Sequence, residues 1–501
     1  MLKTASQYHQ FTSYERGRLG SHYLDWYNQP AVFKEYHGIT PVPLPEKIPS
    51  FKKSLSSVLK ETDIDPTSRK IHINDLSLIL RLTHTITAKT RHGNGEFYYR
   101  SAASAGALYP TEIYVITRGI KGLDDGLYHY AIHRHGLFPL RSGDFADCMS
   151  GLACNSAGKL PALTFIFTAI FFRSSWKYRD RAYRYHLLDT GHVIENLGLA
   201  LKAVKLQFNF SYKFNDKAMN HLLGLEDEKE ACLALVRIPG PDNVTDSDMR
   251  DIEALPRDIL KASMVSKKEI DYPVIHEIHR AGYMSEARDD PAPDIRESPA
   301  LIPEMWHNLP GSLSGIEKLE YPECLFKRRS SRNFVDMPMS KDSFFSLLES
   351  LCIDENNMPK DTIQHQLLTV GFLAGNIESI DPGLYVLDAV KKRFGMITAG
   401  KFIGKMTGAC LDQDWLGNAG VHFLFISDLN LIDRTHGPRG YRYAMMTAGR
   451  QGQRIYIAST ALGLGCCGIG AIYDEEAAGL IGLNRDSRLL YLVAAGKVKR
   501  L

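Results

Sequence analysis

Apolar residues recur at helical spacing through Leu187, Leu188, Gly191, Ile194, Leu197, Leu201 and Val204, and the pattern predicts a long amphipathic helix. The unbroken apolar run Leu163 to Phe172 and the shorter Val421 to Ile426 predict buried strands, since each falls well short of the ~20 residues that span a bilayer. Cys232-Leu233-Ala234-Leu235-Val236 predicts another strand, closed by Pro239-Gly240. Asp124-Asp125-Gly126 ahead of Leu127-Tyr128-His129-Tyr130 predicts a hairpin turn. Helical and strand periods interleave, and the fold class they predict is α+β.

The same pattern occurs twice. Tyr183-Arg184-Tyr185, Gly191 and Leu206 recur as Tyr441-Arg442-Tyr443, Gly449 and Leu464, each 258 positions on. Leu223-Gly224-Leu225 recurs as Ile481-Gly482-Leu483 at the same offset, and Gly126-Leu127-Tyr128 as Gly383-Leu384-Tyr385 at 257. That period is too long for a solenoid. It predicts the duplication of a whole domain, a covalent form of a homodimer.

Composition sharpens the picture in three places. A chain of 501 residues with 44% hydrophobic and 23% charged residues can bury two cores. A net charge of +3 gives no electrostatic argument for nucleic acid or an anionic membrane as partner. Eight cysteines without a CxxC pair, and a first segment MLKTASQYHQ lacking a signal peptide's apolar core, predict a cytoplasmic, reducing setting. The expected organisation is an extended arm over 1–60, a first domain over 61–240, a proline-broken connector over 241–320 and a second domain over 321–501.

Three segments carry candidate chemistry. In Arg100-Ser101-Ala102-Ala103-Ser104-Ala105-Gly106-Ala107-Leu108-Tyr109-Pro110, small side chains would let backbone N–H groups approach a flat or anionic ligand; a tight structural turn is the plain alternative. Lys327-Arg328-Arg329-Ser330-Ser331-Arg332 offers guanidinium forks and hydroxyls suited to phosphate oxygens, or else a solvated basic face. In Trp176-Lys177-Tyr178-Arg179, a lysine beside a tyrosine can move protons if burial lowers the amine's pKa; otherwise Lys177 is a surface lysine.

Two further patterns are weaker. Gly463-Leu464-Gly465-Cys466-Cys467-Gly468 satisfies GxGxxG, but it follows a helix, whereas a dinucleotide fingerprint follows a strand and opens a helix. His129, His133 and His135 alternate along a candidate strand without a Cys or carboxylate to complete a metal site, so a solvent-facing strand is expected, and no metal.

Taken together these residues resemble the FMN-dependent nitroreductase superfamily, in the branch of SagB-type dehydrogenases and azoline oxidases. The resemblance rests on Leu24-Asp25-Trp26 and Gln29-Pro30 in the arm, the Ser-Ala-Gly-Ala-Leu-Tyr-Pro loop, Lys177-Tyr178, the Tyr-Arg-Tyr helix with Asp189, Gly191 and His192, and the Arg-x-Ser-x-Arg signature. It implies two nitroreductase-like domains forming an intramolecular pseudo-dimer, with FMN at their interface. It assigns Arg328, Arg329, Ser330 and Arg332 to the phosphate, Lys497, Lys499 and Arg500 to a C-terminal basic group, and Gly468, Ile469 and Gly470 to a loop over the ring. Arg100, Ser104, Ala105, Gly106 and Ala107 would come from the other half, and Lys177 and Tyr178 would be catalytic.

The reciprocal site is expected to have decayed. Asp65-Pro66-Thr67-Ser68-Arg69 stands where the second half has Arg328 to Arg332, Ile363 to Leu368 replaces the small-residue loop, and Thr435-His436 replaces Lys177-Tyr178. One FMN per chain is therefore expected. The implied activity is dehydrogenation of a small heterocyclic or peptide-derived substrate with hydride transfer to FMN. The alternatives are an NAD(P)H-dependent nitro or quinone reductase and a non-catalytic flavin-binding protein.

Overall fold

The computed structural model describes residues 2–20, 23–46, 51–62, 70–92, 95–153, 158–243, 252–286, 301–353 and 367–499. Asp65 to Arg69, Ile363 to Gln366 and Arg500, which the sequence reading invoked, lie outside them.

Two seven-stranded antiparallel sheets repeat one topology. In the first, Val42–Pro43, Gly136–Ser142, Gly126–Ala131, Thr111–Thr117, Lys159–Ile170, Glu230–Asn243 and Asn209–Ser211 lie side by side in that order. In the second the order is His307–Asn308, Arg393–Ala399, Gly383–Asp388, Thr369–Ala374, Val421–Asp428, Ser487–Gly496 and Gly465–Ile469. Both central strands anticipated from apolar runs form, although the first stops at Ile170, and Phe171 and Phe172 open a helix instead. The anticipated hairpin pairs Thr117 with Gly126.

The arm is less extended than its composition suggests. Ala5–Phe11 is a helix capped by the Thr4 side chain, and Val42–Pro43 forms the first sheet's edge strand. The end of the connector plays the same edge role for the second sheet, through His307–Asn308 against Arg393–Ala399. Each half therefore borrows its edge strand from the chain that precedes it.

The register of the duplication is kept in the helices. Phe171–Tyr178 and Ala182–Ala203 in the first half correspond, 258 positions on, to Leu429–His436 and Gly440–Ala461 in the second. Every residue of the first long helix is buried, as is nearly every residue of the second, because each lies between its own sheet and the other helix. Gly191 and Gly449 mark the crossing. A Cβ on Gly191 would meet the Met446 carbonyl oxygen, and one on Gly449 would meet that of Leu188, so only glycine admits this backbone approach.

A buried ion-pair clamp obeys the same symmetry. Asp474, opening a helix of the second half, receives Arg181 and Arg184 of the first, each at 2.7 Å. Asp216, its counterpart in the first half, receives Arg439 and Arg442 of the second at 2.6 and 2.8 Å. Each half grips the other through the same three residues, as the subunits of an isologous dimer would. The two guanidinium groups hold the Asp474 carboxyl well below the usual carboxylate range, against the upward push of burial.

Candidate functional site

A narrow cleft opens where the two halves meet. Ala103, Ser104 and Ala105 line it from the first half's loop, Tyr185, Leu188, Asp189 and His192 from the first long helix, and Tyr456, Gly468, Gly470 and Tyr491 from the second half. The small-residue loop and the glycine loop expected from the sequence thus come together from opposite halves.

The loop's backbone explains its composition. Gly106, Ala107 and Tyr109 have φ of 63°, 56° and 47°, in the left-handed region that disfavours side chains with a Cβ. Asp189 anchors it: the Ser104 hydroxyl donates to Oδ2 at 2.5 Å, and the Ala105 N–H donates to Oδ1 at 3.1 Å. Ser104 Oγ in turn accepts from the Tyr109 N–H at 2.9 Å. Burial pushes the Asp189 carboxyl up to about 7, although both donors favour its charged form.

Lys177 and Tyr178 stand against this loop. A Cβ on Gly106 would lie 2.7 Å from the Tyr178 hydroxyl and 3.3 Å from Lys177 Nζ. The Tyr178 ring tilts over that of Tyr185, with centroids 4.5 Å apart, which ties the pair to the cleft wall. Lys177 is half-buried, and burial lowers its pKa with the nearby Arg332 charge adding to the shift, the condition for a lysine that exchanges protons. Burial raises the Tyr178 phenol well above its usual range, so it stands protonated.

On the far wall, Tyr456 and Tyr491 place the second half's loop. The Tyr456 hydroxyl accepts from the Gly468 N–H at 2.6 Å and contacts Ser330 Oγ at 2.9 Å. A Cβ on Gly468 would collide with the Tyr491 hydroxyl, and one on Gly470 with the Tyr185 ring. His192 Nδ1 meets Gln453 Oε1 at 2.7 Å, so that nitrogen carries the proton and Nε2 accepts from Tyr491 at 3.0 Å. Burial lowers the pKa of His192 to about 3 and keeps it neutral.

The basic signature divides. Arg328 is buried, and its Nε and Nη2 donate to the carbonyls of Ser101 and Arg100 at 2.7 and 2.8 Å. This fixes the other half's loop, and only Nη1 lacks a partner among the described residues. Arg329 donates to Thr87 and to carbonyls of its own segment, and does not stand free as part of a phosphate cage. Ser330 and Arg332 are the exposed members. Lys497 and Lys499 run alongside, with the Val335 N–H on the Lys497 carbonyl and the Lys499 N–H on the Asn333 carbonyl. The Arg100 side chain also departs from expectation. It is buried away from the cleft, with Nη1 on His84 and Nη2 on the Val32 carbonyl, and contributes to the site through its backbone.

At the symmetry-related position a cavity also opens, but its lining, with Glu195, Gly198, Phe210, Arg450 and Arg454, is different. Phe210 stands at the counterpart of Gly468, with the Arg450 guanidinium 4.4 Å from its ring centroid. Arg450 replaces His192 at the 258 offset, and Arg450 and Arg454 converge on the buried Glu195 at 3.2 and 2.8 Å. Leu367 and Leu368, the described end of the segment opposite the small-residue loop, are both buried.

The other patterns resolve as structure. Gly465–Ile469 is a strand paired with Ser487–Gly496, so the GxGxxG opens no helix. His129, expected to face solvent, is buried against Glu112 at 2.9 Å, while His133 meets Glu35 and His135 meets Ser77. Sequence reasoning left Tyr185, Tyr456 and Tyr491 out of the site. The cross-half clamp also escaped it, although Arg181, Arg184 and Asp216 each recur 258 positions on.

The nitroreductase family model matches residues 69–240 and 373–497. Among curated proteins, the chain is 30% identical over 173 residues to the trifolitoxin-processing protein of Rhizobium leguminosarum bv. trifolii, covering 32% of this chain and 46% of that protein. It is 25% identical over 140 residues to the microcin B17-processing protein of Escherichia coli, covering 27% of this chain and 52% of that protein. The matches thus span about half the length of these two relatives. A solved structure assigned as a nitroreductase from Anabaena variabilis covers 99% of this chain and 100% of its own, with a TM-score of 0.79 at 23% identity, which shows a shared fold.

Proposed function

This chain belongs to the nitroreductase family, and from that premise we propose that it is an FMN-dependent dehydrogenase with one composite site per chain, acting on a small heterocyclic or peptide-derived substrate. The observation that carries this reading is the placement of Lys177 and Tyr178 against Gly106, beside a cleft that glycine and alanine line from both halves. The symmetry-related position has neither the pair nor the glycine clearance.

The residues fit a flavin. Gly468 and Gly470 admit the Tyr491 hydroxyl and the Tyr185 ring that line the cleft, Arg328 Nη1 is a buried donor without a partner among the described residues, and Ser330, Arg332, Lys497 and Lys499 supply hydroxyl and cationic groups for a phosphate. When bound, the flavin would supply two-electron chemistry by accepting a hydride from the substrate. Lys177, its pKa lowered, takes the accompanying proton, and Tyr178 stays protonated and orients the substrate by donating a hydrogen bond. The names of the trifolitoxin- and microcin-processing relatives support a role in processing such a peptide-derived substrate, and the azoline ring is what the resemblance to the SagB-type branch implies.

The test is to incubate the purified, flavin-loaded chain anaerobically with a thiazoline-containing peptide and to follow the flavin absorbance. Bleaching, with a peptide product two mass units lighter, is expected. Bleaching by NAD(P)H alone, with the peptide inert, would instead identify a reductase. A bound flavin reduced by neither would mark a binding protein.

A further inference from the structure

We propose that Asp189 is a positioning residue that latches the small-residue loop of the first half against the first long helix, and so sets the distance between Gly106 and the Lys177–Tyr178 pair. The inference deepens the proposed site and rests on that reading for its functional meaning, but the latch itself is a property of the chain.

The geometry is specific. Asp189 is buried inside the helix Ala182–Ala203, where a carboxylate is ordinarily excluded unless paired. Its hydrogen-bonding partners in the structure are the Ser104 hydroxyl and the Ala105 N–H. Both lie in the one segment whose backbone occupies the left-handed region at Gly106, Ala107 and Tyr109. A conformation of that kind persists only where its surroundings over-determine it. Ser104 passes the constraint on, since the oxygen whose proton goes to Asp189 also accepts from the Tyr109 N–H. The chain of contacts runs from the helix through Asp189, Ser104 and Tyr109, and Gly106 at its centre faces Tyr178 and Lys177. At the corresponding position of the second long helix stands Thr447, in the half that lacks the loop.

The ionisable groups facing Asp189 are Tyr185 and His192 on its own helix, Tyr178 on the preceding helix, and Tyr456 and Tyr491 on the opposite wall. Burial holds Tyr178, Tyr456 and Tyr491 protonated and His192 neutral, whereas it pushes the Asp189 carboxyl up to about 7. When ionised it is the stronger acceptor for the Ala105 N–H.

Hydrogen exchange of a peptide spanning residues 101–109, measured by mass spectrometry on the full chain without added flavin, reads the latch directly. Asp189→Ala should raise exchange there by about tenfold or more relative to the parent, while the sheets keep their protection. After correction for the intrinsic rate, the parent's protection should change through about pH 7. Asp189→Asn, which keeps one acceptor for the Ala105 N–H, should restore part of the protection and show no such step. Equal exchange in parent and Asp189→Ala would overturn the latch, and so would a pH step that survives in Asp189→Asn. A chain that binds no flavin yet shows the expected exchange would refute the proposed function and leave the latch standing.

Discussion

A lysine at a helix end and a carboxyl within a long helix are common features; what separates Lys177 and Asp189 from ordinary surface and core residues is the loop they share. Lys177→Ala should retain flavin and lower substrate-dependent flavin reduction by about a hundredfold, the usual contribution of a general base. Full turnover in that variant would return Lys177 to the role of a half-buried cation at a helix end. Asp189 predicts a second effect, on stability. Its folded-state pKa of about 7 lies above its ordinary 3.8, so its contribution is fully present below about pH 4 and is lost as pH rises through 7. Relative to Asp189→Asn, the parent should lose up to about 4 kcal/mol between pH 4 and 8, and denaturant titrations of both across that range would measure it. A difference that does not vary with pH would mean that Asp189 is ionised throughout. Lys177 was legible in the sequence because a motif marks it. Asp189's contact with Ser104 was not, because 85 positions separate the partners and no local pattern encodes their meeting.

The long helices and their clamps do at the element scale what an interface does in a dimer. The helical period from Leu187 to Val204 foretold the first of them, and the 258-position offset foretold the second. The all-round burial of both was hidden, because the polar positions Arg184, His192, Glu195, Arg450 and Arg454 look solvent-facing until their partners arrive from the other half. Asp474→Asn should leave the guanidinium groups of Arg181 and Arg184 buried beside a neutral amide and cost about 3–5 kcal/mol in chemical unfolding. Asp216→Asn should cost a similar amount through Arg439 and Arg442. The two differ at the cleft, because Arg181 also donates to the Gly470 carbonyl at 2.9 Å. Only Asp474→Asn should therefore weaken flavin retention as well, and equal retention in both variants would detach the clamp from the site.

At the scale of the whole molecule, the proposed function places one asymmetric site on a body that is otherwise symmetric. Sheets, helices and clamps repeat in register, while the loop, the Lys-Tyr pair and the glycine wall survive on one side. Phe210 and the Glu195–Arg450–Arg454 cluster occupy the other. Phe210 opposite Gly468 was not drawn from the two aligned copies of one sequence, whereas the loss of the small-residue loop and of the Lys-Tyr pair was legible from them. The fate of Arg328 and Arg100 was not, since a basic motif does not reveal that backbone carbonyls take up most of its donors. Phe210→Gly alone should not create a second site, because the Glu195–Arg450–Arg454 cluster still stands where the first cleft has neutral groups, and Thr435-His436 still replaces Lys177-Tyr178. The central claim is tested most directly by the flavin content of the FMN-saturated chain, from its visible absorbance against quantitative amino-acid analysis. One flavin per 501-residue chain is predicted for both the parent and Phe210→Gly; two flavins in the parent, or none, would contradict the composite single site.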